Sequence, residues 1–198
     1  MRYVSWIAAA VLLAVPATTP AWAAGDAAAG RGKAESCAAC HGADGISQIP
    51  VVPSLAGQPD LFIQWQLVFY RNGRRSNEAM TPLSEPLTDE DIRDLGAFYA
   101  SLPPGIPAER NPVNPGLRAA GEAAAARGRC TACHTDDYSG KQAAARLAGQ
   151  QEEYLAKSLA EYRSGARPST GIAVMTQAAA GLSDEDIGAI AHYLAMLP

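Results

Sequence analysis

The chain has 198 residues, of which 48% are hydrophobic and 18% charged, and its formal net charge is −4. That length holds one large domain or two small ones. The mild acidity and the lack of a basic face argue against a nucleic-acid partner. Only three Phe and few β-branched runs, in a background rich in Ala and Gly, argue against a β-rich core and favour helices.

The first segment reads as a secretory signal over residues 1–24. Arg2 supplies a positive start, Val4 to Val15 is apolar except for Ser5, Pro16 breaks the run, and Ala21-Trp22-Ala23 fits a small-x-small cleavage pattern. The rival reading is an uncleaved membrane anchor, but the apolar run falls short of the ~18 residues a spanning helix needs. The sequence therefore predicts export to the periplasm with cleavage after Ala23 or Ala24. Loss of Arg2 takes the net charge from −4 to −5.

The remainder is written twice. Cys37-Ala38-Ala39-Cys40-His41 recurs as Cys130-Thr131-Ala132-Cys133-His134, 93 residues later. Leu55-Ala56-Gly57-Gln58 recurs as Leu147-Ala148-Gly149-Gln150, and Tyr70-Arg71, Gly73 and Arg75 as Tyr162-Arg163, Gly165 and Arg167, all at an offset of 92. Met80 recurs as Met175, and Leu87-Thr88-Asp89-Glu90-Asp91-Ile92 as Leu182-Ser183-Asp184-Glu185-Asp186-Ile187, at an offset of 95. Matched blocks in one order with slowly drifting offsets mean fixed elements joined by loops of varying length. The prediction is an all-α chain of two tandem domains, 25–102 and 117–198. A Pro-rich, semi-rigid linker over 103–116 joins them.

Each half reads as about three helices. One runs from near Asp26 (or Leu117) into the Cys motif, and one from about Pro59 to Arg71 (or Gln151 to Tyr162). The last starts at Thr88 (or Ser183), where an acidic residue three positions on completes a capping-box pattern. Domains of roughly 80 residues have marginal cores, and a large apolar cofactor in each would supply the missing buried surface. The halves differ in charge: residues 25–104 sum to −4 and residues 117–198 to −1. The acidic half is expected to steer toward a basic partner, while Arg127 and Arg129 give the second motif a more basic rim.

Cys-x-x-Cys-His is the attachment pattern of c-type haem. Two thiols one helical turn apart reach the two porphyrin vinyl groups, and the next residue offers its imidazole to the iron. A zinc site wants four ligands, a thioredoxin-like pair wants a βαβ context, and an exported disulfide leaves both His unexplained. The four motif cysteines, Cys37, Cys40, Cys130 and Cys133, with His41 and His134, therefore predict two covalently bound haem c groups. For the second axial ligand the repeat selects Met80 and Met175, 39 and 41 residues after their His; a lone Met would read as core filler. His192 and Met196 are not duplicated and read as ordinary residues of the last helix. Met/His ligation leaves no open coordination position and suits electron transfer. Pro53 offers a carbonyl to fix the His41 ring. Its counterpart Ala145 suggests a looser strut. Tyr70, Arg71, Arg75 and their repeats are candidates to bind haem propionates or, equally, solvated helix ends. Trp65, aligned with Lys157, reads as local packing.

Together these residues resemble the cytochrome c4 family, the two-haem, two-domain class I cytochromes c, over about residues 26–197. The resemblance implies two His/Met-ligated haems in domains packed face to face. It further implies a carrier of electrons toward a terminal oxidase, sometimes loosely associated with the membrane surface. Two departures fall in the second half. Thr135 stands where Gly42 follows the haem His, and Ala145 replaces Pro53 in a loop one residue shorter. Three functions compete: an electron carrier whose partners are an oxidase or cytochrome complex, the electron-accepting subunit of a periplasmic dehydrogenase such as a flavoprotein sulfide dehydrogenase, and an enzyme in its own right. The absence of a spare Cys and the presence of one Met per haem disfavour the last.

Overall fold

The computed structural model describes residues 24–169 and 174–198; the signal segment lies outside them. Among the described residues there are helices and loops, and the β-pairing is one isolated bridge between Lys141 and Ala144. The first half contains α1 (Ala27–Lys33), continued by a 3-10 turn (Ala34–Cys37) into α2 (Ala38–His41), then α3 (Asp60–Arg71), α4 (Met80–Ser84) and α5 (Asp89–Ser101). The second half repeats this order as α6 (Pro115–Arg127), α7 (Thr131–His134), α8 (Glu152–Ser164), α9 (Val174–Ala179) and α10 (Asp184–Ala195). No helix of the described residues is long and apolar enough to cross a membrane.

The helix starts follow from local chemistry. Asp26 accepts from the N–H groups of Ala28 and Ala29, and Asn114 from those of Gly116 and Leu117 ahead of Pro115, so the orphan donors of α1 and α6 are satisfied. Thr88 and Asp91 form a reciprocal capping box on α5, while Ser183 caps α10 through the Asp186 N–H at 3.1 Å. Pro59 sits at the cap position of α3 rather than inside its first turn. Helix α8 stops at Gly165, whose φ of +77° is the left-handed conformation that Gly adopts without steric cost.

Helices α4 and α9 go beyond the three expected per half. They are five and six residues long, too short for a hydrophobic period to declare them. They carry Met80 and Met175.

Each half is held by one helix crossing. An added Cβ at Gly30 of α1 would lie 2.1 Å from the Asp94 carbonyl oxygen of α5, and one at Gly121 of α6 would lie 2.0 Å from the Ala189 carbonyl oxygen of α10. Contact this close needs glycine. Around the crossings pack Ile63, Leu95, Phe98 and Tyr99 in the first half, and Ala124, Tyr138, Leu155, Ile190 and Leu194 in the second. The first crossing adds an ion cluster: Lys33 Nζ lies 2.6 Å from Asp94 and 2.8 Å from Asp91.

Residues 103–114 between α5 and α6 carry no helix. Their end is pinned to α10. The Asn114 N–H donates to His192 Nε2 at 3.0 Å, so His192 is neutral with its proton on Nδ1, facing Glu152 at 3.1 Å. Met196 packs against the core of the second half. Trp65 lies 5.6 Å from Phe69, ring to ring, but remains 43% exposed, so it is only partly the packing residue its sequence context suggests.

Because the obstacle at each crossing is backbone, Gly30→Ala and Gly121→Ala are each expected to destabilise the haem-loaded protein by about 1–3 kcal/mol. Denaturant unfolding followed by circular dichroism measures this. Ala at the open position Gly32, where a Cβ meets nothing within 4 Å, should not destabilise.

Candidate haem-binding sites

A continuous cavity of about 540 Å³ runs through both halves. In the first half its wall includes Cys37, Cys40, His41 and Met80; in the second it includes Cys133, His134 and Met175. Cys130 is half-buried against the core of the second half. Cys40 and Cys133 are exposed at the rim, while His41 and His134 are 6% and 7% exposed. Each half thus brings its motif His, at least one motif Cys and its methionine to one cavity, and Cys37 and Cys130, at the N-caps of α2 and α7, stand about one turn from Cys40 and Cys133.

The imidazoles are set for a metal. His41 Nδ1 lies 2.8 Å from the Pro53 carbonyl oxygen and His134 Nδ1 2.8 Å from that of Ala145. A carbonyl only accepts, so Nδ1 carries the proton in both rings and the Nε2 lone pair is left for an iron. Burial pushes both imidazoles below their ordinary pKa, and the bond to the carbonyl only partly offsets it. Both rings therefore stay neutral, the form that ligates. The second strut is as short as the first, contrary to the looser bond suggested by Ala145, because the acceptor is a backbone oxygen and is indifferent to the side chain.

The other departure has a structural answer. Gly42 has φ +84° and ψ 146°, and Thr135 adopts nearly the same pair, +68° and 161°. A β-branched residue there is strained by about 1–3 kcal/mol. Its hydroxyl donates to Asp137 Oδ1 at 2.7 Å and accepts from the Gly140 N–H at 3.2 Å, which offsets part of the cost. Of the non-glycine residues with positive φ among the described residues, Thr135, Tyr138 and Gln142 fall in this second loop and Arg129 lies just before the second motif.

The repeated arginines separate into two roles. Arg71 donates to the Leu87 carbonyl oxygen and Asp89, and Arg163 to that of Leu182 and Asp184, so they tie the ends of α3 and α8 to the starts of α5 and α10. Arg75 and Arg167 line the cavity and are 5% and 3% exposed. Arg75 donates to Gln66 Oε1 at 2.7 Å, and Arg167 donates to Ser158 Oγ at 2.7 Å and to the same Gln66 oxygen at 3.0 Å. Among the described residues the carboxylate within ion-pair range is Glu161, 3.7 Å from Arg75, and the Arg167 Nε has no hydrogen-bond partner. Burial raises the pKa of the Tyr154 phenol, but the fields of Arg167 and Arg75 overcome it and bring the group down to about 7. Two buried guanidinium groups that share one nearby carboxylate in an apolar cavity fit the carboxylates of a porphyrin. Tyr70 and Tyr162 stack under Arg75 and Arg167, at 4.6 and 4.7 Å from guanidinium to ring centre. On the second rim Arg127 pairs with Asp186 at 2.8 Å, while Arg129 forms no salt bridge among the described residues.

The halves also meet through glutamines, of which Gln58 and Gln150 are repeated in the sequence while Gln151 stands opposite Pro59. Gln58 bonds the backbone of Arg146, Gln150 that of Ser54, and Gln151 Nε2 donates to the Ser47 carbonyl oxygen at 2.6 Å. The recurrence of Gln in Leu-Ala-Gly-Gln was the available signal.

The family model described as cytochrome c matches residues 119–198, and that described as cytochrome c oxidase, cbb3-type, subunit III matches residues 23–98. Cytochrome c4 of Pseudomonas aeruginosa is 39% identical over 93% of this chain and 94% of its own length. A thiosulfate dehydrogenase electron acceptor of Thiomonas intermedia is 32% identical over 84% of this chain and 80% of its own. The crystal structure of reduced recombinant cytochrome c4 from Pseudomonas stutzeri superposes with a TM-score of 0.81 at 34% identity, covering 88% of this chain and all of that one. With two class I cytochrome c domains and two Cys-x-x-Cys-His motifs for two covalently bound haem c groups, the chain belongs to the cytochrome c4 family of electron carriers.

Proposed function

We propose that this di-haem electron-transfer cytochrome works in the periplasm, passing electrons between respiratory-chain partners toward a terminal oxidase, with His41 and Met80 holding one iron and His134 and Met175 the other. The signal segment, cleaved after Ala23 or Ala24, delivers it there, and residues 25–102 and 117–198 form its two domains on either side of the 103–116 linker. When bound, each haem supplies a one-electron couple. The chain does the rest. The cysteine pairs anchor, and the carbonyls of Pro53 and Ala145 hold each imidazole in the ligating tautomer. The largely apolar wall would keep water from the iron. Arg75 and Arg167, buried on the cavity wall, would pair with the haem carboxylates. The observation that carries this reading is the repeated set itself: a neutral buried His and an equivalent Met on one cavity wall in each half.

A second reading, service as the electron-accepting partner of a dehydrogenase, is favoured by the likeness to the Thiomonas acceptor. Copurification with a flavoprotein or other catalytic subunit supports it. A monodisperse chain that readily reduces a terminal oxidase supports the first.

The visible spectrum checks the ligands. The oxidised protein is expected to contain two haems c per chain and to show the weak far-red band of Met-ligated ferric iron. Met80→Ala and Met175→Ala should each remove about half of that band, and the double variant all of it. One haem per chain, or a band untouched by either substitution, contradicts the assignment. The charge split generates a second expectation. Electron-transfer rates with donor or acceptor should change as salt is raised past a Debye length of about 8 Å at 0.15 M. Rates independent of ionic strength with both partners contradict steering.

A further inference from the structure

Gln58 and Gln150 are 3% and 5% exposed, and each carboxamide crosses to the other half. Gln150 Oε1 accepts from the Ser54 N–H at 2.8 Å, and its Nε2 donates to the Ser54 carbonyl oxygen at 2.9 Å. Gln58 does the same to Arg146, at 3.0 and 2.9 Å. The peptide bonds so gripped are distinctive. The N–H of Ser54 and the carbonyl of Pro53 belong to one amide, and that carbonyl accepts from His41 Nδ1 at 2.8 Å. The N–H of Arg146 and the carbonyl of Ala145 belong to one amide, and that carbonyl accepts from His134 Nδ1 at 2.8 Å. Two paths of the same form therefore run in opposite directions, each from a glutamine oxygen of one half, through one amide, to the buried imidazole of the other.

Glue between domains would not need to select this peptide unit twice. The residues forming it differ, Pro53-Ser54 against Ala145-Arg146, so what is matched is backbone. An amide is a conjugated unit. An acceptor on its N–H moves electron density toward its oxygen, and linked hydrogen bonds strengthen one another in a low-dielectric interior. A stronger acceptor draws the Nδ1 proton further and makes the imidazole a better donor to a metal, and partners in this outer position tune ligand basicity. A more basic imidazole favours the ferric over the ferrous ion.

We propose that Gln150 is the positioning residue for His41 and Gln58 for His134, so that each half sets the proximal hydrogen bond, and with it the reduction potential, of the haem in the other half. This rests on the reading of His41 and His134 as iron ligands.

The test uses the full two-haem chain carrying Gln58→Leu, Gln150→Leu, Gln58→Glu or Gln150→Glu. Each haem is followed through its own methyl NMR resonances during a redox titration. At fixed solution potential, Gln150→Leu should shift the first-half haem toward ferrous by about two- to fivefold, and Gln58→Leu the second-half haem, the haem of the substituted half moving less. The Nδ1 proton of the opposite His should exchange faster with solvent. The Glu variants keep an acceptor oxygen, so the opposite haem should stay at the unsubstituted value or move toward ferric; these also serve if a Leu variant does not fold. A shift confined to the substituted half, equal shifts in both halves, a Glu shift in the same direction as Leu, or no shift overturns the proposal. Loss of the far-red band in the unsubstituted protein would instead overturn the ligand assignment.

Discussion

The hydrogen bond from a buried imidazole to a backbone carbonyl is the constraint on which each half is built. It fixes the tautomer, aims the other ring nitrogen into the cavity, and keeps the ring neutral where burial already disfavours the cation. The loop after the haem motif exists to return a carbonyl to that position. In the first half a Gly makes the required turn at Gly42; in the second Thr135 adopts the same backbone and holds the loop through its hydroxyl. The backbone solution survives a change of Pro to Ala and of Gly to Thr because neither side chain forms the bond. Only the strain and its local compensation differ between the halves.

The boundary between the halves is polar and buried, which is costly unless every group is matched. The glutamines meet backbone amides in pairs, and Gln66 serves both cavity-facing arginines, one from each half. The guanidinium charge that remains uncompensated among the protein groups is what two carboxylated porphyrins would balance. On the proposed reading, cofactor binding and the joining of the two halves would share the same residues. Small helical domains that bury little apolar surface alone gain both a core and a neighbour in one arrangement.

Much of this was legible in the sequence because duplication supplies an internal control. The repeated Cys-x-x-Cys-His and the paired Met80 and Met175 point to the cavity, and Thr88 and Ser183 announce the last helices through local capping chemistry. What was not legible depends on the third dimension. Helices α4 and α9 are one turn or so long and hold no period. Arg71 and Arg75 are equally repeated. Arg71 nevertheless reaches the start of α5, whereas Arg75, after the left-handed turn at Gly73 (φ +71°), is buried against Gln66. The glutamine paths join groups 88 and 96 residues apart in the chain, and no local pattern encodes such a pairing.

Electron paramagnetic resonance of the fully oxidised protein tests the central claim most directly. Two sites, each closed by a neutral His and a Met, predict two low-spin ferric signals of equal spin count per chain. A high-spin signal of comparable weight would show an open or weakly ligated iron in one half and would contradict the account of the chain as a doubled carrier with the same ligand pair in each domain.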